Sequence, residues 1–128
     1  MSAMDVEQAT LEDHIGRSLP ALDPAERAEL AGVLGRVAVA LQAERVYAFG
    51  SHARGDARSD SDVDLLVVVP ETDEPSYRLA QRAYAAADCY PFALDIVVMP
   101  RDEFESRKRA RSSLPATVLR EGRLLSAP

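Results

Sequence analysis

Apolar and polar positions along this chain of 128 residues alternate with two different periods. Leu30, Leu34, Val37 and Leu41 recur every three or four residues, which is the spacing of one helix face. Upstream of them, Asp23 suits an N-cap, Pro24 the first helical position and Glu26 the return arm of a capping box. A helix is therefore expected from Asp23 to about Gln42, weakened by Gly32 and Gly35, which read as places of close packing. Residues 1–19 are mixed and moderately amphipathic and predict a short helix, with His14 as a surface residue.

The period then shortens to two. Arg45–Phe49 reads as a strand ending at Gly50-Ser51, followed by a short helix over Ser51–Gly55. A second strand runs from Asp62 to Val69 and stops at Pro70; Asp62, Asp64, Leu66 and Val68 share one face, and Val63, Leu65, Val67 and Val69 the other. After a polar turn over Glu71–Pro75, a helix is predicted over Ser76–Ala87 with Tyr77, Ala80, Tyr84 and Ala87 on one side. A third strand, Phe92–Met99, sets Asp95, Val97 and Met99 against Leu94, Ile96 and Val98. Two helical pieces, Asp102–Arg109 and Ser113–Arg120, precede Gly122 as a C-terminal cap and a closing extended stretch, Arg123–Leu125. The expected fold is α/β (α+β), a small mixed sheet of three to four strands flanked by helices mainly on one side. One domain is expected over 1–128, with 1–22 as an N-terminal extension and a core of about 23–125.

Composition narrows the classes of function. With 47% hydrophobic and 28% charged residues, the chain has apolar material for one core. A net charge of −6 argues against a stable nucleic-acid partner, which calls for an excess of Lys and Arg, and favours divalent cations instead. The single cysteine, Cys89, excludes an internal disulfide and a Cys-rich zinc site; it reads as a small residue at a helix end or in a loop. No apolar run approaches the roughly 20 residues of a membrane span, and the N-terminus lacks the pattern of a signal peptide, so a cytoplasmic protein is expected. Fourteen arginines against one lysine, Lys108, look like composition bias and lower the weight of any one arginine.

Three acids carry the chemical signal. Asp62 and Asp64 point the same way from a Val/Leu strand, where charge is costly unless partnered. Residues two apart on a strand lie about 7 Å apart, so their oxygens can converge on hard cations such as Mg²⁺, which combines carboxylates with phosphate oxygens. Asp95 repeats the oddity in Leu94-Asp95-Ile96-Val97-Val98. If the two strands are neighbours, the acids form one cluster able to hold two cations, with Asp95 also a candidate proton acceptor. The plain alternative is a charged strand start with Asp64 paired to an arginine, and an edge-strand acid at 95. Gly50-Ser51 adds a turn at which a phosphate can approach the backbone and meet a hydroxyl.

The run Gly50-Ser51-His52-Ala53-Arg54-Gly55, followed by Ser59-Asp60-Ser61-Asp62-Val63-Asp64-Leu65-Leu66, resembles the signature of the DNA polymerase beta-like nucleotidyltransferases: Gly-Ser, ten residues, Asp-x-Asp. Asp95 matches the family's third acid, on a later strand. The resemblance covers about Leu30 to Leu125, and the shortness of the chain resembles the minimal nucleotidyltransferase branch. It implies that Gly50 and Ser51 hold the β- and γ-phosphates of ATP, that Asp62 and Asp64 bind two Mg²⁺ ions, and that Asp95 helps hold the catalytic ion. It also implies a hetero-oligomeric partner, a HEPN-type toxin, silenced by transfer of AMP from ATP to one of its tyrosines. Two other readings stay open: a binding antitoxin that masks its toxin without catalysis, and a nucleotidyltransferase acting on a small-molecule antibiotic. Arg54 could contact phosphate or close the motif helix, with the structural role favoured. His52, in the variable part of the motif, reads as an exposed loop histidine, and Asp60 as a turn residue or outer acid. Arg107-Lys108-Arg109-Ala110-Arg111 reads as a solvated helix face or a docking surface.

Overall fold

The computed structural model describes residues 3–58, 60–88 and 93–127, so Ser59, Cys89 and Phe92 lie outside the described residues. Helix α1 (Ala3–Ser18) leads into α2 (Pro24–Leu41), whose capping box forms as expected: Glu26 N–H donates to Asp23 Oδ1 at 2.8 Å, and Asp23 N–H to Glu26 Oε1 at 2.9 Å. Gln42, in the left-handed conformation, ends the helix. The predicted stripe Leu30, Leu34, Val37 and Leu41 is buried. Gly35 has open space where a side chain would stand, so it does not serve close packing.

Four strands follow the two helices: β1 (Arg45–Phe49), β2 (Val63–Val69), β3 (Leu94–Pro100) and β4 (Arg123–Ser126), in the order β3-β2-β1-β4. β1 pairs antiparallel with both β2 and β4, while β2 and β3 are parallel. Parallel neighbours need a crossover, and α4 (Ser76–Ala87) supplies it. The sheet is thus mixed and four-stranded, as the sequence predicts.

The alternation of β2 and β3 decides which face takes which helices. Val63, Leu65, Val67 and Val69 join Leu94, Ile96 and Val98 in the main core beneath α1, α2 and α4. Leu66, Val68 and Met99 face the other way, into a smaller cluster with Tyr47, Phe104 and Val118. Phe104 belongs to α5 (Arg101–Arg107) and Val118 to α6 (Leu114–Glu121). Phe104 stacks on Tyr47 with ring centroids 5.8 Å apart, and the Arg45 guanidinium lies 4.9 Å from the Phe104 ring centroid. This second cluster leaves the end of the sheet near Asp64 uncovered.

Of the side of α4 that carries Tyr77, Ala80, Tyr84 and Ala87, only Ala87 is fully buried. Leu79, Ala83 and Ala87, four apart, enter the core, whereas Tyr77 is 62% exposed and Tyr84 38%. A phenol carries a hydroxyl that seeks a polar partner, which suits a partly exposed position. His14 reaches the edge of the sheet, its Nε2 lying 2.7 Å from the Leu124 carbonyl oxygen. Among the described residues, no helix is long and apolar enough to cross a membrane.

Candidate active site

Three backbone facts assemble the site. β1 ends at Phe49, and Gly50 turns the chain at φ +74° into the short helix α3 (Gly50–Arg54). Phe49 is paired with Asp64 on β2, and Asp64 in turn faces Asp95 in the parallel register of β2 and β3. Asp62 precedes β2 by one residue and lies two before Asp64, on the same face by alternation. Neighbouring strands are about 4.8 Å apart, so the Asp64 and Asp95 backbones are held close whatever their side chains do.

Gly50 is required twice over. Its φ disfavours any L side chain, and a Cβ there would overlap the Asp64 carboxylate. That carboxylate therefore lies directly against the turn that opens α3. Ser51 follows, partly exposed, its carbonyl accepting from Gly55 N–H at 3.0 Å and Asp56 N–H at 3.1 Å.

Burial pushes the Asp64 carboxyl up from its ordinary value, and the negative charges of Asp95 and then Asp62 push it the same way. The His52 and Arg54 charges pull it down but do not win. A carboxyl held high by burial and two like charges is a group short of positive charge. Among the described residues, no three His, Cys, Asp or Glu side chains already meet at metal-ligand distance. The three acids therefore share a face and an electrostatic field without converging.

Arg54 forms an ion pair with Asp56 at 3.4 Å, both side chains largely exposed. Gly55, not Arg54, caps α3, while the Arg54 charge still reaches Asp64. His52 departs from expectation: instead of an exposed loop residue it is only 4% exposed, with Nε2 3.2 Å from the Ser61 carbonyl oxygen. It lies inside α3 rather than in a loop, and the helix turns its ring inward. Asp60 is exposed in the turn before Asp62, as read from sequence.

Tyr84 is the site neighbour that sequence reading missed. Its hydroxyl accepts from Ile96 N–H at 2.8 Å and donates to Asp95 Oδ1 at 3.3 Å. It thereby caps the outer edge of β3 and holds one oxygen of the third acid. The only sequence signal was an aromatic with a polar tip on a helix leading into that strand.

In the basic run, Arg107 pairs with Glu103 at 3.1 Å and Lys108 with Glu105, so part of it is a salt-bridged helix surface.

The chain matches the family model described as "Nucleotidyltransferase domain" over residues 34–123. That span includes α3, both paired acids and Asp95. It is 40% identical over 57 residues to the Methanocaldococcus jannaschii protein named "Putative protein adenylyltransferase MJ0141", across 44% of this chain and 56% of that protein. The match thus spans only about half the length of that relative. A solved structure described as "Crystal structure of the toxin-antitoxin with AMP-PNP" is similar with a TM-score of 0.47 and 22% identity, over 75% of this chain and 72% of that one. With its Gly-Ser turn, its paired acids and a family match over most of its length, this chain belongs to the nucleotidyltransferase domain family.

Proposed function

We propose that this chain is a Mg²⁺-dependent adenylyltransferase that moves AMP from ATP to a tyrosine hydroxyl of a partner protein, a HEPN-type toxin, and so serves as its antitoxin. The observation that carries the reading is the register of β2 on β3, which sets Asp64 opposite Asp95 and beside Gly50. The choice of ATP and of a protein acceptor is supported by the name of the archaeal relative. The kind of partner rests on the family resemblance of the motif.

The donor set suits the cation. Three carboxylates offer hard oxygen ligands, and the raised Asp64 carboxyl marks a site where positive charge is lacking. Asp62, Asp64 and Asp95 would hold Mg²⁺, which when bound would offset the charge of the triphosphate and polarise the α-phosphate. Gly50, lacking a side chain, lets the β- and γ-phosphates approach the backbone, and the Ser51 hydroxyl donates to them. Arg54 stands beside this site as a source of positive field. The acceptor hydroxyl is oriented by Asp95, which takes its proton as the new bond between that oxygen and the α-phosphorus forms. The bond from the α-phosphorus to the bridging oxygen breaks, and pyrophosphate leaves with the electron pair.

The test is intact-mass spectrometry of the co-purifying partner after incubation with Mg²⁺ and each of the four ribonucleotides. Wild type with ATP is expected to add one or more AMP groups, and Asp62→Asn none. No mass gain with the wild type, in a complex that still silences its partner, would overturn transfer and leave neutralisation by binding.

A further inference from the structure

Among the described residues, His52 is the buried polar side chain of the fold. Its Nε2 faces the Ser61 carbonyl oxygen. A carbonyl oxygen only accepts, so Nε2 carries a proton and donates to it. Nδ1 is buried and meets no donor among the described residues. An apolar side chain of similar size would fill the position without leaving that atom unpaired. What the imidazole supplies, and an apolar residue would not, is the donor to Ser61.

The place of that donor is informative. His52 follows Ser51 within α3, and Ser61 immediately precedes Asp62. The bond therefore joins the helix that carries Gly50 and Ser51 to the backbone one residue ahead of the first acid. Between them lies the loop 55–62, in which Arg58 N–H donates to Ser61 Oγ at 2.8 Å and Ser61 N–H to the Arg58 carbonyl at 3.0 Å. Those two bonds shape the turn at Ser61; Asp56 N–H donates to the Ser51 carbonyl at the near end of the loop, and the His52 bond joins its far end to α3.

We propose that His52 is a positioning residue for the cation site: through Ser61 it fixes where Asp62 stands relative to Gly50, Ser51 and Asp64. The inference rests on the reading of Asp62, Asp64 and Asp95 as the acids that hold Mg²⁺. Packing alone would make His52 matter for stability, whereas positioning makes it matter for the cation and leaves stability untouched.

The test separates the two by titrating Mg²⁺ alone into the wild type, His52→Leu, His52→Asn and His52→Gln, following the thermal midpoint. Leu removes the donor, Asn keeps polarity but falls short of Ser61, and Gln carries an amide N–H to about the reach of Nε2. His52→Leu is expected to melt at or above the wild-type temperature without metal. Its half-saturating Mg²⁺ is expected to rise about tenfold, the effect of losing one contact of ordinary hydrogen-bond strength. Gln should restore the wild-type titration, and Asn should not; that pair decides the matter if the Leu variant fails to fold. A Mg²⁺ response in Leu and Asn equal to that of the wild type would overturn the proposal. So would a lowered melting temperature in all three variants with no change in half-saturation. A wild type that gives no Mg²⁺ response at all would overturn the reading of the acids, and this inference with it.

Discussion

At the scale of single residues, Gly50 and Asp64 form one unit. The carboxylate occupies the space a side chain at 50 would need, and the backbone at 50 adopts a φ that side chains disfavour. Gly50→Ala is expected to lose about 1–3 kcal/mol from backbone strain and more from displacing Asp64. Urea unfolding checks the stability, and the Mg²⁺ titration above should show the displaced acid as a weakened response. Much of this unit was legible beforehand, because Gly-Ser, ten residues and Asp-x-Asp is a pattern of spacing. Alternation places the acids on one face, while Gly50 is named from the resemblance of its Gly-Ser motif. His52 and Tyr84 are placed by neither. Each depends on where a ring ends up after helices pack, and neither leaves a period in the sequence.

At the scale of elements, the start of α2 falls where capping and proline chemistry mark it, while several other boundaries shift by one or two residues. α2 begins after Asp23 because both arms of the capping box close, and α6 begins after Ser113, whose Oγ accepts from Ala116 N–H at 3.2 Å. Asp23→Ala should destabilise the fold by about 0.5–2 kcal/mol. A denaturant midpoint shift with an unchanged Mg²⁺ titration would place the effect in the helix; a change in both would show that the cap also shapes the site. The faces of the strands were equally legible, since Val63, Leu65, Val67 and Val69 lie in the core beneath α1, α2 and α4 as their alternation requires. The face of α4 was not. Its buried positions, Leu79, Ala83 and Ala87, are small or few, so the pattern alone does not say which face is buried. Gly122, expected as a helix cap, does close α6, but its backbone is extended at φ −81°. It is needed because a Cβ would stand 2.5 Å from the Val118 carbonyl oxygen and 2.8 Å from that of Ala48.

At the scale of the whole molecule, the carboxylate cluster costs the metal-free fold some stability, and the cost depends on pH. The Asp64 carboxyl is raised above its ordinary value of 3.8, chiefly by burial. The folded state therefore holds that proton more tightly than the unfolded chain. Below 3.8 both states are protonated and Asp64 imposes no penalty; as pH rises through the elevated folded value the penalty appears in full, and it persists at neutral pH. Asp64→Asn is expected to melt higher than the wild type near neutrality without metal, with the gap closing toward pH 3–4. Added Mg²⁺ should reverse the order by stabilising only the wild type. Equal melting temperatures across the whole range would show that the three negative charges do not interact. The net charge of −6 adds to the same repulsion, so moderate salt should narrow the gap.

The parallel pairing of β2 with β3 has a consequence for how such a protein can diverge. The gap between Asp64 and Asp95 is gauged by two adjacent strands, and the long crossover of residues 70–93 contributes no acid to it. That segment can be lengthened, shortened or exchanged while the gauge stays constant, because strand register and not loop length sets the spacing. Among its described residues, the Tyr84 hydroxyl bonds directly to Asp95. Variation in the crossover away from Tyr84 is thereby uncoupled from the spacing of the two acids.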